Sequence, residues 1–370
     1  EREVKVVAVN GVSADTGSVK LRALERVNLE GVVSYQNDQI DPTFNGTVEV
    51  TVFDAKRSVA IDDDKQRHIP SGQYTVQNDL IYRGKVRVSE GRFNAEFVVP
   101  RDISFSDLPG RIAMYAVSPE TDGFGATGKV LVGGTADDPV SDAAGPEVDL
   151  FLNDTSFVSG GLTTNEPLLI VQLSDDSGIN TVGTGVGHEM LLVIDGDEQG
   201  AIEIGNRFEG ALGSFRKGTV SLKLPIQEPG NHSLLVKAWD VVNNSTEKTI
   251  EYEVTTGGDL VLKNVFNYAN PMPNQTHFVF EHNQPPGTPA EMEIQIYTVS
   301  GRLVQTIVGT DALPSGVLPG GSVQIPWNGR DQDLDKVSPG IYLYKLKISV
   351  DSSSGEPNSA EHLGRLAVVG

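Results

Sequence analysis

Residues 294–304 read IQIYTVSGRLV, and this stretch sets the pattern for the whole chain. Apolar Ile294 and Ile296 flank polar Gln295, and apolar residues follow at Val299, Leu303 and Val304. A β-strand places successive side chains on opposite faces, and glycine readily takes up the positive φ of a tight hairpin. The stretch therefore predicts strands Ile294–Val299 and Leu303–Ile307, joined by a turn at Ser300-Gly301.

The same alternation recurs along the chain, and no run of helical periodicity is long enough to indicate a helix. In the first third it predicts strands at Glu3–Asn10, Val27–Tyr35, Thr47–Asp54, Ile81–Val88, Arg92–Val99, Ile112–Val117 and Lys129–Gly133. In the middle it predicts strands near Leu168–Leu173, Met190–Ile194, Gly218–Leu224, His232–Ala238 and Thr249–Val254. Strands at this spacing are typical of an all-β protein made of β-sandwiches.

Turn-rich sequence divides the chain twice, near Thr135 and at residues 255–258. A sandwich needs roughly 100 residues, so a chain of 370 residues accommodates several. We predict three tandem immunoglobulin-like β-sandwich domains over residues 1–135, 136–257 and 258–370. The middle one is acidic, with 6 basic and 20 acidic residues between 137 and 257.

Composition excludes several classes of function. The net charge of −21 argues against nucleic acid or an anionic membrane as a partner, because phosphate binding needs clustered lysine and arginine. Cysteine is absent, which excludes disulfides, thiolate metal sites and cysteine nucleophiles from these residues. No stretch reaches the ~20 apolar residues of a membrane-spanning helix. The chain begins directly in strand-like sequence, so we expect an excised fragment or a mature product.

Two acidic turns of the middle domain are candidate calcium sites, and we expect no other metal or cofactor. Their carboxylates belong to Asp175 and Asp176 in one turn and to Asp195 and Asp197 in the other. Three further aspartates, Asp137, Asp138 and Asp142, stand at the joint between the first two predicted domains. Calcium takes six to eight oxygen ligands, but the spacing does not match the calcium-loop pattern. Aspartate and glycine also favour tight turns without any ligand. A solvated turn and a bound cation therefore both stay open.

No catalytic motif is visible. The histidines lack any metal-ligand spacing, and there is no nucleophile elbow. They are His68, His188, His232, His277, His282 and His362. A glycine-rich run at 182–187 precedes a strand rather than a helix, so we interpret it as a loop and not as a phosphate cradle. Residues 62–64, three aspartates, are interpreted as a surface loop. We predict no catalytic residue, although an unrecognised carboxylate site is kept as a minor alternative.

The last third carries the most specific sequence. Asn270-Pro271 indicates an extended entry, Phe278 and Phe280 share a strand face, and Trp327 is predicted to anchor the core. In the predicted strand that follows Gly340, Ile341 and Leu343 share one face while Tyr342, Tyr344 and Leu346 occupy the other. This ordered set resembles the FlgD-like immunoglobulin domain at the carboxyl end of many type IX secretion substrates of Bacteroidetes.

Other sequence blocks point to a narrower group of proteins. They are FEHN at 280–283, VPRDI at 99–103, GPEV at 145–148, SGIN at 177–180, GH at 187–188 and AWDVVNNS at 238–245. They resemble the region after the peptidase domain in type IX secretion sortases, the PorU-like members of the gingipain-type cysteine peptidase family. A structural interpretation of the last block places Trp239 in the core and makes Asp240, Asn243 and Asn244 a hydrogen-bonded turn.

The resemblance implies that this chain is the non-catalytic carboxyl-terminal part of a surface cysteine peptidase. That enzyme cleaves sorting domains from cargo and attaches the cargo to the surface, with its catalytic residues before Glu1. The implied partners are the upstream peptidase domain and a PorV-like outer-membrane barrel, with contacts expected at Gly340, Tyr342 and Lys345. The implied location is the outer-membrane surface of a Bacteroidetes-like bacterium. The alternative is an adhesion or carbohydrate-binding protein exported by the same route.

Overall fold

The computed structural model describes residues 2–14, 19–61, 72–105, 107–181, 187–255, 259–351 and 358–369. Across these residues the chain forms β-strands and two single 3-10 turns, Gly205–Arg207 and Gly309–Asp311, with no α-helix. The all-β prediction is therefore confirmed. No helix in the described ranges is long and apolar enough to cross a membrane. The loop at 62–64 and the glycine-rich run at 182–186 lie outside the described residues.

The chain divides into two compact units that do not follow the sequence in order. Unit 1 contains Glu1–Asp149, Val171–Ser221 and Leu235–Lys248. Unit 2 contains Leu150–Ile170, Leu222–Leu234 and Thr249–Gly370. The residues of the middle segment are thus shared between the two units, and the division into three immunoglobulin-like domains stays a prediction.

The amino-terminal part of unit 1 is built on a large sheet with a smaller one beside it. The large sheet has the order β8-β5-β11-β12-β1-β4-β9, with β2 paired to β1, and the smaller has the order β10-β13-β3. A separate hairpin pairs β6 with β7. The strands are β1 Arg2–Val9, β2 Val12–Ser13, β3 Val19–Ala23, β4 Arg26–Ser34, β5 Gly46–Phe53, β6 Arg57–Ile61, β7 Gly72–Val76, β8 Leu80–Val88, β9 Arg92–Val98, β10 Leu108–Pro109, β11 Arg111–Val117, β12 Asp122–Thr127 and β13 Val130–Thr135.

The core of this part follows from the alternation in sequence. In β9 the side chains of Phe93, Ala95 and Phe97 are buried, whereas the residues between them are exposed. The ring of Phe97 stacks on Tyr82, with centroids 4.4 Å apart and planes at 7°. Aromatic pairs in such offset contact add stability beyond the area that they bury.

The middle segment forms two further sheets, with the orders β14-β16-β20-β19 and β15-β22-β21-β17-β18. All five strands predicted in this segment are present within a few residues of their predicted bounds. The strands are β14 Glu147–Leu152, β15 Gly161–Thr163, β16 Leu168–Ser174, β17 Leu191–Ile194, β18 Ile202–Glu203, β19 Phe208–Gly210, β20 Lys217–Lys223, β21 Gly230–Trp239 and β22 Ser245–Val254.

The carboxyl-terminal part of unit 2 contains a three-stranded sheet, β23-β24-β27, and a four-stranded sheet, β26-β25-β28-β29. The predicted hairpin is confirmed, because β25 pairs antiparallel with β26 and Gly301 has a φ of 86°. The strands are β23 Leu262–Tyr268, β24 Thr276–His282, β25 Ala290–Thr298, β26 Leu303–Val308, β27 Val323–Trp327, β28 Gly340–Val350 and β29 Asn358–Val368.

The core of the terminal part contains the aromatic residues that the sequence placed there. Phe278 packs against Tyr344 with ring centroids 4.8 Å apart, and Trp327 is 3% exposed. The Trp327 indole nitrogen donates a hydrogen bond of 2.9 Å to the carbonyl of Arg330, which satisfies its polar atom. Beside β29, the Met272 backbone bonds to Ala367 and Val369, so the Asn270–Met272 segment covers the end of this edge strand.

Candidate functional site

The turn after β21 is organised by one buried carboxylate. Asp240 has no exposed surface, and its Oδ1 accepts backbone hydrogen bonds from Val242 at 2.9 Å and from Asn244 at 2.7 Å. Its Oδ2 accepts a third bond, of 2.7 Å, from Asn244 Nδ2. Aspartate that bonds to the backbone two residues later stabilises turns of this kind. The predicted hydrogen-bonded turn is confirmed, whereas Trp239, which was predicted to lie in the core, is only half-buried.

This turn presents two valines to strands of the large amino-terminal sheet and its neighbour. Val241 and Val242 are each 4% exposed and form one apolar cluster with Leu24 and Val98. The Arg101 amide donates a 2.9 Å hydrogen bond to the Val241 carbonyl. The block at 238–245 is therefore part of the packing of unit 1, which gives it a structural reason independent of any ligand.

A second polar contact lies beside the same turn. Asp102 accepts a hydrogen bond of 3.0 Å from Asn243 Nδ2 through Oδ1, and its Oδ2 bonds to Nδ1 of His188. The His188 ring lies 4.4 Å from the Trp239 ring. An acyl-transfer triad also needs a hydroxyl or thiol nucleophile bonded to the second ring nitrogen, and in the described part of the chain none is bonded there. The hydrogen bonds of Asp102 to Asn243 and His188 instead connect three loops.

Three carboxylates of unit 1 come together near this turn. Ligand oxygens of Asp142, Asp175 and Asp240 all lie within 4.8 Å of one another. Burial raises the pKa of Asp240, and the charge of Asp175 raises it further, while the hydrogen bonds from Asn244 and Val242 oppose this effect. Asp175 Oδ1 is already engaged, with bonds of 2.8 Å from the Ser177 amide and 2.9 Å from the Gly178 amide.

The structure thus groups only one of the four calcium candidates with other carboxylates. Asp175 joins the cluster, whereas Asp176, Asp195 and Asp197 are not part of it. Asp195 has a φ of 52°, and Asp197 accepts a 3.1 Å bond from the Gly200 amide, so both belong to the tight turn after β17. Oxygen ligands of the clustered kind are those that calcium prefers. Calcium binding stays a prediction, now centred on Asp142, Asp175 and Asp240.

The three predicted docking residues are placed differently from one another. Tyr342 is 7% exposed, contributes to the terminal core and donates a 2.7 Å hydrogen bond to the Ser338 carbonyl. Gly340 is exposed at the start of β28. Lys345 points to the outer side of the sheet and pairs with Glu361 at 2.8 Å, which raises the pKa of Lys345. Gly340 and Lys345 are therefore accessible, and the Tyr342 ring faces inward.

The outer side of the four-stranded sheet carries an apolar patch, which we call the outer patch and define as Ile341, Leu343, Leu363, Leu303 and Tyr297. Backbone register places Tyr297 opposite Leu343 and Leu303, and Leu363 opposite Lys345. Ile341 is 51% exposed and Leu363 is 74% exposed. Sequence alternation placed Ile341 and Leu343 on one face of β28, but it gave no reason to predict docking on that face rather than at Tyr342.

The block at 280–283 fastens the connection between the middle and terminal segments. Asn283 is 1% exposed, and its Nδ2 donates to Thr255 Oγ1 at 2.6 Å and to the Asp259 carbonyl at 2.8 Å. Its Oδ1 accepts a 3.0 Å bond from the Val261 amide. Phe280 is fully buried in the terminal core. The block thus ties the chain on either side of residues 256–258 to β24.

His282, the remaining member of that block, lies beside a cavity of about 200 Å³ in unit 2. The ring is 8% exposed, and its Nε2 donates a 2.9 Å hydrogen bond to the Pro319 carbonyl. Burial lowers the pKa of His282. The cavity is also lined by Asp154 and Glu281. The sequence contained no signal for it, because its walls come from segments more than 100 residues apart.

One of the solved structures that are similar to this chain matches it at appreciable sequence identity. No protein-family model matches the chain, and no curated protein matches it. Among solved structures, the chain is 28% identical over 100% of its length to dimeric latent PorU from Porphyromonas gingivalis, with a TM-score of 0.44. It covers 34% of that chain, so it spans about a third of the protein that it matches.

Two adhesin structures are also similar, at much lower identity. A tetra-tandem repeat from the extending region of a large adhesion protein is 12% identical, covering 99% of this chain and 74% of the other, with a TM-score of 0.20. A 1.5-MDa bacterial ice-binding adhesin is 10% identical, covering 99% of this chain and 97% of the other, with a TM-score of 0.19.

Proposed function

We propose that this chain is the non-catalytic carboxyl-terminal part of a PorU-like type IX secretion sortase. In this proposal it supports an upstream cysteine peptidase domain and docks that domain to a PorV-like outer-membrane barrel at the cell surface. The terminal FlgD-like domain is retained as a docking module rather than removed as a sorting signal. The peptidase chemistry, the cargo and the barrel belong to the whole protein and are part of the proposal.

The observation that carries the proposal is the 28% identity to PorU, which extends over all 370 residues rather than over one common domain. A second observation supports it. The blocks that resemble the sortase family occupy structural joints, where Asp240 organises the turn of unit 1 and Asn283 fastens the connection of unit 2.

The outer patch supports the docking part of the proposal. Its members lie on one side of a regular sheet, and Leu363 and Ile341 are more than half exposed. Exposed apolar residues that adjoin on a surface mark sites of protein or membrane interaction. Charged residues adjoin the patch, with Arg365 opposite Leu343 and Lys345, which pairs with Glu361, opposite Leu363. We therefore assign the barrel contact to this face.

The test is binding of the full chain to the purified PorV-like barrel of the same bacterium in lipid nanodiscs. Saturable binding supports the docking role. Absence of binding at micromolar concentrations contradicts it. The sequence of the parent gene before Glu1 tests the rest of the proposal, because a domain with a cysteine and histidine peptidase site must be encoded there.

An adhesion or carbohydrate-binding function is the second candidate. It is favoured by two exposed aromatic residues of β23, Phe266 and Tyr268, which are two positions apart and 48% and 71% exposed. Residues at this spacing share a strand face, and exposed aromatic rings suit stacking on sugars. A glycan array that shows tight, saturable binding, lost in the Tyr268→Ala variant, would place this function first.

A further inference from the structure

We propose that the cavity beside His282 binds the long cationic side chain of a lysine or arginine from a protein partner. The cavity lies entirely within unit 2 and is formed by the 152–162 segment, by residues 281–286 and by residues 320–322. The proposal does not depend on the barrel contact assigned to the outer patch, because the two surfaces share no residue.

The size and walls of the cavity suit a side chain better than a small molecule. Its volume is about 200 Å³, whereas pockets for drug-sized ligands are roughly 300–1,000 Å³. Leu152, Leu162 and Pro286 supply apolar walls, and Phe157 adds an aromatic ring. Lysine and arginine bury their methylene stems along such walls while the charged end reaches polar groups. The ring of Phe157 is available for a cation–π contact.

The lining of the cavity is negatively charged, although Lys263, which pairs with Glu253, lies opposite Glu281 on the neighbouring strand. Two carboxylates, Asp154 and Glu281, line it, and its lining contains no lysine or arginine. Within the described ranges, neither carboxylate pairs with a cationic side chain. His282 does not supply a positive charge, because it is buried and its Nε2 donates to the Pro319 carbonyl. Hydrogen bonds between ionised partners are about twice as strong as neutral ones, so an incoming ammonium or guanidinium group is favoured.

The arrangement disfavours a metal ion. In the described part of the chain, the carboxylates whose oxygens all lie within 4.8 Å of one another are those of Asp142, Asp175 and Asp240. Asp154, Glu281 and His282 do not form such a group. Calcium needs six to eight oxygens around one point. Carboxylates that are spread over a cavity suit a cation with several hydrogen-bond donors instead.

Backbone packing holds the cavity in shape. A Cβ atom at Gly320 would lie 1.6 Å from Asp154 Oδ2, and one at Gly161 would lie 2.9 Å from Phe157 Cε2. The other oxygen of Asp154 accepts a 2.6 Å hydrogen bond from the Ser156 amide. The carboxylate and the ring are thus fixed before any partner arrives, and a preformed site loses less conformational entropy on binding.

The lining continues into exposed apolar surface, which points to a side chain carried by a polypeptide. Val158 lines the cavity and is 74% exposed. A free amine would leave this surface in water, whereas the backbone and neighbouring side chains of a bound peptide would cover it. The proposed occupant of the cavity is therefore a basic residue within a protein segment.

The test is an NMR titration of the full chain with methyl labels on leucine and valine. The probes are the peptide acetyl-Ala-Ala-Lys-Ala-Ala-amide, its arginine and glutamine counterparts, and 1,5-diaminopentane. Leu152, Val158 and Leu162 are the reporters in the cavity, and Leu343 is a remote control. We expect saturable shifts at the three reporters with the lysine or arginine peptide and none with the glutamine peptide.

Two variants remove one cavity carboxylate each, and a matched variant removes a carboxylate elsewhere in the same unit. Glu281→Gln and Asp154→Asn are each expected to weaken peptide binding about tenfold, while Glu291→Gln leaves it unchanged. If the Asp154 loop does not tolerate substitution, the Glu281→Gln variant tests the proposal by itself. Equal shifts with the glutamine peptide, equal weakening by Glu291→Gln, or no shift at millimolar peptide would overturn the proposal. Diaminopentane binding as tight as peptide binding would overturn the assignment to a protein partner.

Discussion

Asn243 donates a hydrogen bond of 3.0 Å to Asp102 across 141 residues of sequence, and the same carboxylate bonds to His188. One acidic side chain thereby connects the loop after β9, the loop before β17 and the turn after β21. Because Val241 and Val242 pack beside this contact, polar and apolar interactions coincide at one joint of unit 1. We expect the joint to be a main source of the stability of this unit.

The Asn243→Asp variant tests that joint. Asn243 has a φ of 74°, which aspartate also tolerates, so the substitution replaces a donor by a second carboxylate without straining the turn. Loss of a hydrogen bond to a charged group predicts a decrease of about 1.5–3 kcal/mol in the free energy of unfolding. Urea unfolding at neutral pH measures it. The control is Asn206→Asp, at an exposed position of the same unit. Equal effects of the two variants would contradict a specific role for the contact.

Asn283 is expected to be the most sensitive position of unit 2. Asn283→Ala removes three hydrogen bonds, to the buried Thr255 hydroxyl, the Asp259 carbonyl and the Val261 amide. Each unsatisfied buried group costs about 1–3 kcal/mol, and partial relaxation predicts a total loss of about 3 kcal/mol. Thermal or urea unfolding measures the change, with Asn274→Ala at an exposed position as the control. A loss below that of the control would show that the connection at 256–258 does not depend on this residue.

The buried ring of His282 predicts a pH dependence of stability. Its pKa is lowered mainly by burial, so the unfolded chain binds a proton more readily than the folded one. Its contribution is therefore complete above the ordinary histidine pKa of about 6.5 and is lost as the pH falls through the lower folded pKa. His282→Gln, which keeps a donor toward Pro319, should flatten the decline of unfolding free energy as the pH falls below about 6.5. His277→Gln is the control, and an unchanged slope in His282→Gln would refute the assignment.

The carboxylates of Asp142, Asp175 and Asp240 predict a response to calcium. If calcium binds there, a free concentration ten times the Kd stabilises the fold by about 1.4 kcal/mol. A calorimetric scan in calcium should show a higher Tm than one in chelator. Asp175→Asn should abolish the difference, whereas Asp197→Asn, in the turn after β17, should leave it intact. An identical Tm in calcium and chelator would leave the cluster as three mutually repelling carboxylates.

Sequence periodicity predicted much of the fold and little of the sites. Alternation located β9 and both faces of β28, because a half-buried strand imposes that pattern. It missed β12, whose sequence DGFGAT has two glycines and no regular alternation. It also missed β3, a short strand that pairs in parallel with β13. Such pairing depends on residues distant in sequence, which a local pattern does not contain.

The same limit applies to the candidate sites. Asp175 is local to one acidic turn, but its partners Asp142 and Asp240 come from other loops, so only the folded chain identifies the cluster. The cavity beside His282 likewise combines segments that are far apart. Tyr342 illustrates a different limit, since alternation grouped it on one strand face with Tyr344 and Leu346 but did not show which face of the strand is buried.

The most direct test of the proposed docking role is the effect of the outer patch on binding to the PorV-like barrel. Ile341→Glu and Leu363→Glu place a charge on exposed positions of that face, and Ile226→Glu places one at a 69% exposed position elsewhere in unit 2. The account predicts that each patch variant weakens barrel binding at least about tenfold, the effect of losing a buried apolar anchor, while Ile226→Glu binds like the unmodified chain. Barrel binding that is unchanged in both patch variants would contradict it.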